Sequence, residues 1–256
     1  MMNHGDNRSS WSGLVASIMA SGVLGCVGGL ITPDLSYATE WIGLAGAEVG
    51  AKHSRYAYLG AVLPLPSTPA LGQGWVQRYW ADWIEYRFES NGEVQARSPG
   101  FSASLGYQQG GEQGYWAVFM GAGYRDTTLR PDRPDSGVRG SQSSVLLLVE
   151  TDQRFSPGWR FVGAAQYDTG PEGYWTRAKL LHVASSGRYW HGPELVLQGA
   201  LKGDPDYRAM KIGYVLDEWR LGRNVTVNFK VGAIKTKGLA TNGYAGVEFV
   251  GSFGKK

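Results

Sequence analysis

The chain has 256 residues, of which 43% are hydrophobic and only 18% are charged, with 25 basic and 22 acidic side chains. This near balance excludes a polybasic nucleic-acid binder and an acidic tail, and the apolar content excludes an intrinsically disordered chain. A single cysteine, Cys26, excludes a disulfide scaffold and a cysteine-rich metal site. The excess of glycine (38 residues) and of aromatic residues favours one large all-β domain.

The first 38 residues differ in pattern from the rest of the chain. A polar start that carries Arg8 precedes an apolar run rich in small side chains, residues 13–31. Ser36-Tyr37-Ala38 then matches the small-x-small pattern of a signal-peptidase site. We therefore expect a signal peptide over residues 1–38, cleaved near Ala38, and a mature domain over residues 39–256.

Two other interpretations of this leader stay open. The apolar run approaches the length of a membrane span, so an uncleaved anchor is one alternative. The other is lipidation of Cys26, which follows a small residue as in a lipobox. The apolar run continues past Cys26, and this continuation disfavours lipidation.

Beyond Ala38 the dominant pattern is alternation of apolar and polar residues with a period of two, interrupted by turn residues. In residues 225–234, Val225, Val227 and Phe229 share one face, and Thr226 and Asn228 share the other. Such alternation is typical of β-strands with two different environments. It predicts twelve strands, near residues 40–49, 55–65, 75–88, 93–109, 115–127, 142–155, 159–168, 174–183, 189–201, 207–217, 224–235 and 243–253.

The connections between these segments also differ in kind. Polar stretches such as 130–140 and 202–206 follow odd-numbered strands, whereas the connections after strands six and eight are short. Long loops on one side and tight turns on the other are typical of outer-membrane barrels. We therefore expect residues 130–140 to lie outside the cell.

A soluble β-sandwich or a lipocalin-like barrel would also show alternation, but three features favour a membrane barrel. Strands of about 9–11 residues match a tilted bilayer crossing, and aromatic residues gather at strand ends, as in interfacial girdles. An even number of strands allows a closed sheet with no unpaired edge in lipid. Segment 75–88 is the exception, because Trp80, Asp82, Trp83 and Glu85 compete for its two faces. The prediction is an all-β fold: a closed, antiparallel, up-and-down transmembrane β-barrel of about 12 strands in a bacterial outer membrane.

Several short motifs resemble one known family, the BcsS family of cellulose-biosynthesis outer-membrane proteins. They keep their order over most of the mature chain: Tyr56-Ala-Tyr-Leu-Gly-Ala-Val62, Leu105-Gly-Tyr-Gln108, Gly192-Pro-Glu-Leu-Val196, Ile212-Gly-Tyr214 and Gly243-Tyr-Ala-Gly-Val-Glu-Phe249. The resemblance implies a barrel that acts with the bacterial cellulose-synthesis machinery. It also implies cellulose and other cellulose-secretion subunits as candidate partners, beside the outer-membrane lipid itself.

Signatures of catalysis are sparse. The mature chain retains His53, His182 and His191, and none has a partner at metal-ligand spacing. Some outer-membrane barrels are enzymes built on a Ser–His pair, which makes His182 with Ser185 or Ser186 a candidate. Alternation places His182 on the face opposite Arg177, Lys179 and Leu181, and we expect this face of His182 to contact the lipid. We therefore predict no catalytic residue, no cofactor and no metal.

Charged residues on the less apolar faces are the better functional candidates. Alternation directs eight of them into the lumen: Arg160, Asp168, Arg177, Lys179, Glu194, Lys211, Lys230 and Glu248. These side chains either neutralise one another as internal salt bridges or line a hydrated passage for a neutral polysaccharide. The predicted function is a non-enzymatic barrel that supports cellulose biosynthesis, export or anchoring. An outer-membrane enzyme acting on lipid or glycan and a general passive pore remain as alternatives.

Overall fold

The structure is a computed structural model that describes residues 40–51, 54–68, 70–89, 92–170, 172–201 and 207–254. The signal peptide predicted over residues 1–38 and its cleavage near Ala38 lie outside the described residues. His53 lies outside them as well. Within the described part of the chain, no helix has the length and apolar character needed to cross a membrane.

All regular structure in the described residues is β-strand. The twelve strands are β1 (Trp41–Gly50), β2 (Ser54–Pro64), β3 (Gln73–Glu89), β4 (Glu93–Gly111), β5 (Gly114–Arg130), β6 (Gly140–Ser156), β7 (Trp159–Asp168), β8 (Gly173–Val183), β9 (Trp190–Ala200), β10 (Arg208–Arg220), β11 (Val225–Thr236) and β12 (Asn242–Phe253). Every predicted strand is present, with each end within three residues of its expected position.

The strands form one closed antiparallel barrel in which each strand pairs with its neighbours in sequence. Closure is made by β1 and β12, which pair along their whole length from Trp41 opposite Phe253 to Gly50 opposite Tyr244. The predicted fold class is therefore confirmed. We call the end that carries Glu40, Gly254 and the even-to-odd connections the terminal end, and the opposite end the loop end.

The two faces of the sheet follow the predicted alternation. On β5, Trp116, Val118 and Met120 point outward and are 41%, 43% and 62% exposed. The residues between them, Ala117 and Phe119, point into the barrel and are buried. An outer surface of exposed apolar side chains around an inner, mixed surface reverses the arrangement of a water-soluble barrel.

Aromatic side chains border this outer apolar band at the terminal end. Trp75 packs edge-on against Tyr107 with ring centroids 5.5 Å apart, and Tyr107 lies 6.2 Å from Trp116. Further round the barrel, Trp41 stacks on Phe253 at 4.5 Å. Toward the loop end, Phe101 lies 6.0 Å from Tyr124. The aromatic residues thus form a girdle at the terminal end, and the pair of Phe101 and Tyr124 marks the loop-end girdle.

Segment 75–88, whose faces the sequence left ambiguous, forms most of β3, and the structure assigns its side chains to the two faces. Trp80 and Asp82 line the internal cavity, and Trp83 lies on an outer pocket. Glu85 pairs across the sheet with Arg97 on the outward face, although its side chain is only 2% exposed. The alternation was obscured because β3 carries aromatic residues on both faces.

The expected contrast between long and short connections is only partly present. The loop end does carry the long connection 131–139, but β1–β2 and β3–β4 are joined there by three residues each. At the terminal end the β6–β7 turn is short, whereas residues 184–189 and 65–72 form longer connections. The barrel wall is tallest at the loop end along β3 to β6. These are the longest strands, and they extend past their neighbours.

Candidate functional site: the barrel lumen

A cavity of about 670 Å³ occupies the lumen, and all eight charged residues singled out in the sequence line it. They are Arg160, Asp168, Arg177, Lys179, Glu194, Lys211, Lys230 and Glu248, and they come from β7 to β12. Aromatic residues of β2 and β3 line the facing wall, among them Tyr56, Tyr58 and Trp80. The lumen is therefore asymmetric, with a charged wall opposite an aromatic one.

Four of these eight side chains, together with Glu48, form a continuous chain of ion pairs. Arg177 Nη1 lies 3.2 Å from Glu248 Oε1, which lies 3.6 Å from Lys230 Nζ. Lys230 Nζ is also 2.9 Å from Glu48 Oε2, and Glu48 accepts a hydrogen bond from Lys211. The chain links β8, β12, β11, β1 and β10 across the lumen. Charges held in this way satisfy one another in a partly dehydrated interior.

A β-bulge brings two consecutive acidic residues of β10 into the lumen. The register of β10 against β11 shifts between Leu216 and Trp219, and Glu218 adopts a positive φ of 58°. Asp217 accepts from Lys179 Nζ at 3.0 Å, and Glu218 Oε1 lies 2.8 Å from Arg160 Nη1. A regular strand would direct these neighbours to opposite faces, so the bulge supplies a second carboxylate to the charged wall.

Two of the eight candidates lie outside these ion pairs. Asp168 Oδ1 accepts from the backbone N–H of Gly170 at 2.9 Å, so it caps the turn that follows β7. Glu194 is 2% exposed, and neither of its carboxylate oxygens has a hydrogen-bond partner among the described residues. Glu194 lines the cavity, but both of its carboxylate oxygens are buried in the wall.

Sequence reasoning missed several members of the lumen. Glu48, Asp217 and Glu218 were not singled out, and neither was the pair formed by Arg125 and Asp82, at 2.8 Å. Asp217 lies six residues after Lys211, so the alternation that assigns Lys211 to the lumen assigns Asp217 to it as well. The bulge at Glu218 carries no glycine or proline marker, and Glu48 shares its face with Ile42 and Leu44 in β1.

Aromatic rings cross the lumen at the loop end. Tyr207, which precedes β10, packs on Tyr86 of β3 with ring centroids 5.0 Å apart, and Gln198 donates a hydrogen bond to its hydroxyl at 2.5 Å. Both tyrosines pack against a buried cluster that contains Phe88 and Leu129. Because β3 and β10 are five strands apart in the closed ring of twelve, this contact spans the barrel.

A second apolar cluster lies in the terminal half of the lumen. Val62, Val76, Ala117, Phe119 and Leu148 are buried together there, and Leu71 packs on them from the β2–β3 connection. The backbone N–H of Gly72 donates to Gln108 Oε1 at 2.9 Å, which ties this connection to the inner wall. Apolar packing therefore narrows both halves of the barrel, beside the ion pairs.

The two described histidines lie on the outside of the barrel. His182 is exposed and packs edge-on against Trp159 at 4.9 Å, and His191 lies 6.1 Å from it. His191 Nδ1 is 2.5 Å from the hydroxyl of Tyr214, and neither ring has a carboxylate hydrogen-bond partner in the described residues. These residues extend the terminal-end girdle. The described part of the chain also contains no group of three or more His, Cys, Asp or Glu residues placed to hold a metal ion.

Comparison with solved structures finds other barrels at low sequence identity. A KdgM porin matches at 10% identity over 83% of this chain and 99% of that chain, with a TM-score of 0.44. A TodX monoaromatic hydrocarbon channel mutant matches at 8% over 88% and 91%, with a TM-score of 0.47. The translocator domain of the autotransporter NalP from Neisseria meningitidis matches at 12% over 84% and 88%, with a TM-score of 0.42. Similarity at this level does not indicate a function.

Comparison with curated proteins finds no match. A family model does match, over residues 45–253, which is nearly the whole barrel from β1 to the end of β12. Its description is cellulose biosynthesis protein BcsS, the family that the sequence motifs resemble. The chain belongs to the BcsS family of cellulose biosynthesis proteins.

Proposed function

We propose that this protein is a non-enzymatic barrel of the bacterial outer membrane that supports the export or anchoring of cellulose. Membership of the BcsS family connects it with cellulose biosynthesis. The observation that carries the finer proposal is the lumen, where ion pairs and aromatic contacts join the walls and leave a cavity of about 670 Å³. Delivery of the protein itself to the outer membrane requires the signal peptide predicted over residues 1–38.

The height of the outer apolar band supports the proposal that the barrel spans a membrane. Trp116 and Tyr124 border the apolar band on β5 and are eight residues apart. At about 3.3 Å per residue and a tilt of about 40°, they are separated by roughly 20 Å along the barrel axis. This height is close to the roughly 25 Å of the apolar band of outer-membrane barrels. The residues beyond Tyr124 on the same face are Asp126, Thr128 and Arg130, which suit the headgroup region.

A non-enzymatic role is supported by the surroundings of the titratable groups. A hydrolase would need a nucleophile beside a base, or paired carboxylates facing a substrate cleft. His182 and His191 instead face outward among aromatic rings, and most lumen carboxylates are bound to lysine or arginine. The eight lumen residues are, in our proposal, structural and electrostatic elements.

The contacts across the lumen favour an accessory role over a conduit for the polymer. A glucan chain passing along the barrel would have to part Tyr86 from Tyr207 and break the contacts of Glu48 with Lys211 and Lys230. Exposing these charges without replacement partners is costly. We infer that the barrel acts beside the export path or at the cell surface, where it contacts cellulose or another secretion subunit.

A deletion strain tests this function. Loss of the protein is expected to change the amount, attachment or organisation of cellulose at the cell surface. Polymerisation by isolated inner membranes is expected to stay at the wild-type rate. Complementation with His182→Ala is expected to restore the phenotype fully, because this ring contributes to the girdle and not to a chemical step.

Two results would count against the proposal. If isolated inner membranes from the deletion strain polymerised less glucan, the protein would act in synthesis itself. If His182→Ala assembled normally, judged by heat-modifiable migration on gels, yet reproduced the deletion phenotype, an enzymatic role would replace the accessory one.

A further inference from the structure

A second pocket lies on the outside of the barrel, just beyond the loop-end girdle. It has a volume of about 270 Å³ and lies over strands β3, β4 and β5. Its lining includes Trp83, Arg97, Pro99, Asp126, Thr128 and Arg130. The loop-end girdle residue Tyr124 immediately precedes these positions along the outward face of β5. The pocket is therefore at the height where the headgroups of the outer leaflet would lie.

Pro99 accounts for the position of the pocket. The pairing of β4 with β5 runs through Arg97 opposite Thr128, is interrupted, and resumes at Gly100 opposite Arg125. Proline cannot donate a ladder hydrogen bond, so a gap in pairing is the expected result in the interior of a sheet. Pro99 and Asp126, which both fall within this gap, line the pocket.

Two exposed arginines give the pocket its cationic side. Arg97 is 49% exposed and lies 3.9 Å from Glu85, a distance that leaves most of its donors free. Arg130 is exposed, and no ion pair in the described residues involves it. Gln95 lies opposite Arg130 in the ladder, next to Arg97 on the same face. Guanidinium groups bind phosphate oxygens in a bidentate geometry, so this side of the pocket suits a phosphoryl group.

The surface below the pocket is apolar. Phe101, Leu105 and Met120 are 60%, 47% and 62% exposed, and they continue the outward faces of β4 and β5 into the apolar band. An occupant that fills the pocket and covers this surface must be amphipathic. The phosphate would lie at the arginines and the acyl chains along these three side chains.

We propose that this pocket binds the phosphorylated sugar headgroup of an outer-leaflet glycolipid. The ring of Trp83 offers a face on which a sugar can pack, and the carboxylate of Asp126 can accept from sugar hydroxyl or amide groups. Asp126 would repel a simple phosphate. A headgroup that carries a phosphoryl group for the arginines and hydroxyl or amide groups for Asp126 therefore fits best. The proposal requires the loop end to face outward, but it does not require a role in cellulose export.

Native mass spectrometry of the purified barrel in detergent tests the site. The probes are bisphosphorylated lipid A, dephosphorylated lipid A and phosphatidylglycerol. The test variant is the double substitution Arg97→Ala with Arg130→Ala. The matched control is Arg220→Ala with Arg223→Ala, which removes two exposed arginines at the terminal end. Thr128→Glu is a second test variant that adds a negative charge in the pocket and keeps both arginines.

The wild type and the control are expected to retain one lipid A molecule with equal affinity. Both test variants, and dephosphorylated lipid A on the wild type, are expected to bind about tenfold more weakly or worse. Equal affinity in the folded test variants would overturn the site. Equal binding of phosphatidylglycerol, or displacement of lipid A by millimolar inorganic phosphate, would overturn the assignment to a glycolipid. Because the purified barrel is used, these results are independent of the deletion phenotype.

Discussion

Tyr86 and Tyr207 meet inside the barrel with ring centroids 5.0 Å apart, although they come from opposite sides of the ring of strands. Tyr207, the residue before β10, packs inward against β3 and β4, where Phe88 of β3 and Val94 and Ala96 of β4 form a buried apolar surface. It closes part of the loop end by side-chain packing alone. No regular element lies across the lumen within the described residues.

Removing one of these rings should therefore widen the lumen. Tyr207→Ala is expected to raise the single-channel conductance of the purified barrel in planar bilayers several-fold, because it removes the contact that spans the loop end. The matched control is Tyr189→Ala, whose ring stacks on Trp219 at the terminal end and should leave conductance unchanged. Equal conductance of Tyr207→Ala and the wild type would show that another constriction limits the passage.

The ion pairs of the lumen should contribute more to stability than those at the rim. Glu248→Gln leaves Arg177 and Lys230 facing a neutral amide in the lumen, and we expect it to lower the free energy of unfolding by about 3 kcal/mol. Glu93→Gln removes the partner of Arg87 at the exposed loop end and should cost less than about 1 kcal/mol. Urea unfolding in detergent, followed by tryptophan fluorescence, measures both variants. Equal effects of the two substitutions would contradict the account.

The order of the connection 131–139 should depend on pH. Hydrogen bonds from Arg139 at 2.7 and 3.0 Å hold the pKa of Asp132 below its ordinary value. A carboxyl with a lowered folded pKa stabilises the loop fully above its unfolded pKa, and this stabilisation is lost as pH falls through the folded value. A spin label on Asp135→Cys, in a Cys26→Ser background, should therefore become more mobile in acid.

The matched variant for this prediction is Asp132→Asn. It should make the label mobile at every pH and remove the acid transition, because the amide does not titrate. A label that responds to acid equally in the presence and absence of Asp132 would show that another group controls the loop.

The last strand should be essential for assembly. β12 pairs with β1 on one side and β11 on the other, so a chain ending before Gly243 leaves both neighbours with unpaired backbone groups. Such edges are not tolerated in lipid. The truncated chain is expected to show no heat-modifiable band and to be degraded. A folded, membrane-inserted truncated barrel would contradict the closure seen here.

Alternation was sufficient to predict the strands because each one separates an apolar surface from a mixed one. Almost every strand therefore shows a period of two in its sequence, as on β5, where Phe119 points inward and Met120 points outward. Alternation could not assign the two faces of β3, where Trp80 stacks on Tyr58 at 4.4 Å inside the lumen. A buried aromatic on the inner face carries the same sequence signal as one on the outer face.

The contacts of the lumen depend on information that alternation does not contain. Counting by two assigns Lys211 and Lys230 to the inner face, but it cannot pair them with Glu48, which is far away in sequence and near only after β1 and β12 close the ring. The bulge that turns Glu218 inward and the packing of Tyr207 are both tertiary effects. Site positions could thus be predicted strand by strand, whereas site partners could not.

The orientation of the barrel underlies both the proposed function and the lipid site, and one labelling experiment tests it directly. Asp135→Cys at the loop end and Arg223→Cys at the terminal end, each in a Cys26→Ser background, are exposed to a membrane-impermeant maleimide on intact cells. We expect the cysteine at 135 to be labelled on intact cells and the cysteine at 223 only after the outer membrane is permeabilised. Labelling at 223 on intact cells, or at neither position until permeabilisation, would contradict a barrel that spans the outer membrane with its loop end outside.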